Sequence, residues 1–97
     1  MLLGRVIGTV VASEKSSRLE GRKFLLLEHI DPPTMKGKGT YVVAIDSVGA
    51  GPEEIVFYAT GSCGRYTDVT EGRPSDATIT AIVDFIEIDG QYVYEKV

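Results

Sequence analysis

Every apolar run in this chain is short, rich in Val, Ile and Leu, and closed off by glycine, proline or a polar cluster. Runs of that length cannot carry a helical stripe of more than about two turns, so the pattern predicts strands joined by turns. The first strand is predicted over Gly4–Ser13. Val6, Gly8, Val10 and Ala12 share one of its faces, and Ile7, Thr9 and Val11 share the other. Gly8 inside it marks a bend or a close backbone approach. Lys23–Ile30 is the second run, and its Phe24-Leu25-Leu26-Leu27 centre does not alternate. A strand apolar on both faces is covered on both, here by the chain's own core and by a neighbouring subunit. Asp31-Pro32-Pro33 ends it, because proline has no N–H for the ladder. Thr34–Gly39 reads as a flexible basic loop. Thr40–Val48, Glu54–Thr60 and Thr78–Ile88 are the remaining main strands. Asp89-Gly90 is a hairpin signal that folds Gln91–Glu95 back as a short extra strand.

Five strands and a terminal hairpin make an all-β chain. They suit a small, five-stranded, partly open Greek-key barrel of the OB type, with a C-terminal hairpin extension. An up-and-down barrel is the alternative. The chain's 97 residues form one domain, 1–97. A barrel this small buries only a modest share of its surface. Its one cysteine, Cys63, has no partner for a disulfide, and His29 is its one histidine, so a monomer has no ligand set for a structural metal. Association with identical copies is the remaining route to more burial.

The net charge of −4 opposes binding to nucleic acid or to an anionic membrane, both of which favour a basic face. No apolar run approaches the length of a membrane span. The opening Met-Leu-Leu-Gly-Arg-Val-Ile-Gly lacks the basic and long apolar regions of a secretion signal. The unpaired thiol fits a reducing cytosol. A soluble, cytoplasmic protein is expected.

The candidate chemistry is thin. Asp46-Ser47-Val48-Gly49-Ala50-Gly51 places Gly-x-Gly after a strand, but Pro52 and a further strand follow it. A bound phosphate would have no helix N-terminus there, so a structural turn is the reading. Cys63 has Arg65 near it in sequence, and an arginine is no base. A small residue in a packed turn is expected. His29 reads as a surface or interface residue, and the scattered carboxylates as solvated charges or interface ion pairs. Tyr41, Phe57 and Tyr58 could form an aromatic face for single-stranded nucleic acid on an OB-type barrel. That is the alternative function, and the acidic balance argues against it. A cysteine- or metal-dependent oligomeric enzyme is a further alternative. No catalytic residue, cofactor or metal is assigned.

Four segments, in this order and spacing, resemble the vertex proteins of bacterial microcompartments, the CcmL/EutN family. They are Leu3 to Ala12, Asp46 to Gly51, Gly61-Ser62-Cys63-Gly64-Arg65, and Pro74-Ser75-Asp76-Ala77 followed by Ile79, Ile82, Val83 and Asp84. The resemblance spans nearly the whole chain. It implies a non-enzymatic β-barrel subunit of a homopentamer that caps the five-fold corners of a carboxysome or metabolosome shell in the bacterial cytoplasm. It implies hexameric shell proteins as partners, with neither nucleic acid nor membrane. It also implies that Gly61, Ser62, Cys63 and Gly64 line the five-fold axis, with Arg65, Asp46, Gly49 and Asp76 at the subunit interface. Cys63 and Gly64 stand where the family usually has Ser and Ala, so five thiols would meet at that axis. Polar loops at Glu14–Arg22 and Thr34–Gly39 are candidates for docking the hexagonal tiles.

Overall fold

The computed structural model describes residues 1–11, 23–60 and 77–96. These form seven strands: β1 (Leu2–Val10), β2 (Lys23–Asp31), β3 (Lys36–Asp46), β4 (Ile55–Thr60), β5 (Ala77–Ile82), β6 (Phe85–Ile88) and β7 (Gln91–Glu95). The first five close into a barrel in the order β1-β2-β3-β5-β4, and β6 and β7 form a separate two-stranded sheet. All neighbours in the barrel are antiparallel except β3 and β5, which run parallel. That crossover rules out the up-and-down alternative. The junction is only two residue pairs long, Ile45 with Thr78 and Asp46 with Ile79, yet it closes a barrel expected to stay partly open.

Alternation along the strands decides what fills the barrel. Val6, Leu25, Leu27, Ala44, Val56, Tyr58 and Ile79 are buried together inside. Burying each Val, Leu or Ile of this set supplies about 1.5–3 kcal/mol. The two faces expected for β1 are corrected by a bulge. Val6 pairs with the inward Leu27, but Gly8 pairs with Leu26, with the register shifting between them. The extra residue moves Gly8 and Val10 to the outer face, in rows with Leu26 and Phe24, whereas Val6 stays inside. The Leu-rich centre of β2 is therefore split. Leu25 and Leu27 are buried inward, and Phe24 and Leu26 are half-buried on the outer wall.

Two further expectations change. Lys36–Gly39 is not a flexible loop but the start of β3, with Lys36 opposite Asp31 and Gly37 opposite Ile30. The turn before it is tight: Met35 N–H donates to the Asp31 carbonyl at 2.7 Å, and Thr34 Oγ1 donates to the Asp31 carboxylate at 2.8 Å. The long strand predicted over Thr78–Ile88 breaks at Val83-Asp84, and Phe85 begins the hairpin. The Asp89-Gly90 turn forms as expected. Both residues take positive φ, 51° and 79°, which is what a two-residue hairpin turn matching strand twist demands.

The hairpin is attached through a second apolar cluster. Ile30, Ile55 and Val83 are buried there, with Leu3, Met35, Ile86 and Tyr94 packed against them. Ile55 precedes the inward Val56, so this cluster lies on the outer side of β4. Val83 N–H donates to the Ile55 carbonyl at 2.8 Å, and Lys96 N–H to the Asp84 carbonyl at 2.7 Å.

Candidate functional site

Of the eight residues expected at the axis and interface, Gly61, Ser62, Cys63, Gly64, Arg65 and Asp76 lie outside the described residues. The two described ones, Asp46 and Gly49, belong to a single turn between β3 and β4. The Asp46 carboxylate accepts hydrogen bonds from the N–H groups of Val48 (3.0 Å), Gly49 (3.1 Å) and Ala50 (3.0 Å). Lys23 Nζ stands 3.9 Å from the same carboxylate and donates to the Ala50 carbonyl. Ser47 Oγ donates to the Ile79 carbonyl at 2.6 Å, tying the turn to β5. Gly49 takes a φ of +80°, which favours glycine because a Cβ is strained there.

This geometry explains why Gly-x-Gly here is no phosphate cradle. The donors that would meet an anion already point at the chain's own carboxylate. Asp46 thus shapes the turn from within, and Gly49 stands at its sharpest point.

The next turn residues continue the theme. Glu54 accepts from Gly51 N–H at 2.5 Å and pairs with Lys96 at 3.0 Å. These contacts, the Gly51 hydrogen bond foremost and then Lys96, hold the Glu54 carboxyl below the usual carboxylate range. The same pairing raises Lys96. One carboxylate therefore clasps the β3–β4 turn to the last residues of the hairpin. Sequence reading passed over it because its partner lies forty-two positions away.

The aromatics expected to form one nucleic-acid face do not share a face. Tyr58 is only 3% exposed and sits inside the barrel; Tyr41 and Phe57 lie on the outer wall, on strands that are not neighbours. Tyr58 hydroxyl and His29 Nδ1 are 3.3 Å apart, with the rings edge to face. Burial pushes the Tyr58 hydroxyl up. His29 is thus half-buried against its own barrel. Among the described residues no three His, Cys, Asp or Glu side chains cluster as metal ligands. A cleft of about 250 Å³ opens between the β1 bulge and the β3–β4 turn, lined by Val6, Ile7, Gly8, Leu25, Ala50 and Pro52 among others. Its wall is chiefly apolar, with Lys23 as the charged group.

What the described surface offers is shape and apolar contact. Tyr41, Val43, Phe57, Phe85 and Tyr92 are all large and exposed.

Known proteins share this arrangement over nearly the full chain. The sequence profile of the family described as "Ethanolamine utilisation protein EutN/carboxysome" matches residues 1–84. The carboxysome shell vertex protein CcmL of Gloeobacter violaceus is 43% identical over 99% of this chain and 95% of its own length. Its solved structure superposes with a TM-score of 0.91, covering 99% of this chain and 98% of that one. The microcompartment shell vertex protein EutN of Escherichia coli is 35% identical over 99% of this chain and all of its own length. The structure described as the GrpN pentameric microcompartment shell protein of Rhodospirillum rubrum gives a TM-score of 0.81 at 38% identity. It covers 91% of this chain and 99% of that one.

Proposed function

The chain belongs to the EutN/CcmL family, and from that premise we propose that it is the structural subunit of a pentamer closing the vertices of a bacterial microcompartment shell. The observation that carries this reading is the match in both sequence and fold along almost the entire length of vertex proteins, one of them described as pentameric. The protein is placed in such a shell, within the bacterial cytoplasm. Its relatives are structural shell proteins, which points to a role without catalysis.

The physical logic is geometric. A sheet of hexagonal tiles is flat, and pentagons must be inserted before it can close. Hexameric shell proteins are the partners this requires, and neither nucleic acid nor membrane is needed. Head-to-tail contacts that close after five copies make the pentagon and leave no free end. Small residues at Gly61, Ser62, Cys63 and Gly64 let five chains approach one axis, and Arg65 and Asp76 suit contacts to the neighbour. Asp46 and Gly49 serve the interface indirectly, by holding the β3–β4 turn in one shape. Thr34–Gly39 is largely turn and strand, so tile docking is assigned to Glu14–Arg22. The residues 1–97 act as one unit in this scheme.

Native mass spectrometry of the purified protein tests the reading. A five-fold multiple of the chain mass, persisting to sub-micromolar concentration, is expected. A species that stays monomeric at cellular concentration would overturn it.

A further inference from the structure

Beyond the vertex reading, we propose that the exposed face of the β6–β7 hairpin is a docking surface for an arginine-bearing segment of a protein other than this chain. Phe85 stands opposite Glu95, and Glu87 opposite Tyr92. Directly opposed residues of an antiparallel pair project on the same side, and all four are exposed. The other side of the hairpin is occupied by the fold itself: Ile86 and Tyr94 pack there against Ile30, Ile55 and Val83.

A bulge composes this face. The register shifts between Ile86 and Glu87. Counting by twos from Glu95 would bring Val93 to this side; the extra residue on β7 brings Tyr92 to it instead. The result is a checkerboard. The aromatics lie on one diagonal, with ring centroids 5.1 Å apart, and the carboxylates lie on the other. Each carboxylate therefore borders both rings. Phe85 is 54% exposed and Tyr92 60% exposed, so the joined rings keep much of their surface open.

Charge selects the occupant. Neither Glu87 nor Glu95 has an ion-pair partner among the described residues. Lys96, which follows Glu95, is committed to Glu54 at 3.0 Å. Neither β6 nor β7 contains a basic residue, and the exposed Asp89 adds negative charge at the turn. Glu87 Oε2 accepts from Gly90 N–H at 2.6 Å, which holds the carboxylate at the turn end and leaves its other oxygen for a partner.

Such a face attracts a cation, and arginine fits it better than lysine. A guanidinium is flat and weakly hydrated, so it stacks on an aromatic ring. Its N–H fork can donate at the same time to a carboxylate beside the ring. Lysine offers a compact, strongly hydrated charge without that plane. A second hairpin face, or an anionic membrane, would set like charge against Glu87 and Glu95. A purely apolar segment would strip water from both carboxylates and return no partner.

The test titrates the peptide acetyl-Gly-Arg-Gly-Arg-Gly-amide into the intact protein and follows backbone amide shifts by NMR. Saturable shifts confined to β6, β7 and their turn are expected, with the lysine version of the peptide binding roughly 5-fold more weakly. Glu87→Gln with Glu95→Gln removes the charge and keeps an oxygen for Gly90 N–H; it should weaken the arginine peptide roughly 10-fold. Phe85→Ser with Tyr92→Ser should weaken it as much, and unchanged barrel amides verify the fold of both variants. Shifts centred elsewhere, equal binding of the two peptides, or either variant binding as the wild type does overturns the proposal. So does native mass spectrometry in which Glu87→Gln with Glu95→Gln loses the wild-type assembly, because another copy would then hold this face. The assembly of the wild-type chain is measured separately, so the pentamer reading stands or falls apart from this one.

Discussion

The two apolar clusters of this protein are built from similar residues and do different work. The barrel interior is enclosed by five strands, and residues such as Leu27 and Val56 are wholly buried among partners from every side. Among the described residues, the cluster beneath the hairpin has a barrel wall on one side and β6–β7 on the other. Among the described residues its attachment consists of a few apolar side chains, the backbone hydrogen bond from Val83 to Ile55 and the Glu54–Lys96 pair. The difference separates a part that must hold the fold from a part that presents a surface. Regions with fewer buried contacts open locally at lower free energy than the global core.

The sharpest way to break this comparison is at the interior. Leu27→Ala removes a side chain that is 0% exposed and should cost about 3 kcal/mol. Hydrogen exchange should then show barrel and hairpin amides losing protection together, because both depend on the barrel. Protection lost in β2 alone would mean the interior is not one cooperative unit.

Val83→Ala acts on the outer cluster and should cost about 1.5 kcal/mol, from the methyl groups removed. Faster exchange is expected at β6 and β7, with the barrel amides moving little. Equal acceleration across both regions would erase the distinction between the clusters.

The smallest effect comes from acid. The Glu54 carboxyl is held low by Gly51 N–H and by Lys96. The clasp therefore contributes fully above the unfolded carboxyl value of 4.5 and fades as pH falls through the lower, folded value. Hairpin exchange should accelerate selectively in that acidic window, once corrected for the intrinsic pH dependence of exchange. Glu54→Gln should remove the selective component; if the variant keeps it, another group is responsible.

Strand positions were legible because each run carries its own local signal. Val, Ile and Leu clusters ended at Pro32-Pro33 or at Asp89-Gly90, and the hairpin formed around the dipeptide that marks it. Lys36–Gly39 was misread because Lys-Gly-Lys-Gly has no strand propensity. Its strand character comes from extension of the β2–β3 ladder past the barrel. Thr78–Ile88 was read as one strand, since nothing local reveals the break at Val83-Asp84. Of the candidate site, the Asp46 turn was legible as a turn, but the capture of three N–H groups by its own carboxylate was not.

By itself the sequence determined the all-β class, the approximate strand positions, the terminal hairpin and the family, all of which rest on short local patterns or on their order. The tertiary structure decided which face each side chain presents, how the barrel closes and what the hairpin exposes. The reason is that a strand's face is set by counting residues in twos. One bulge, as between Val6 and Gly8, resets the count, and only the strand across the ladder reveals it.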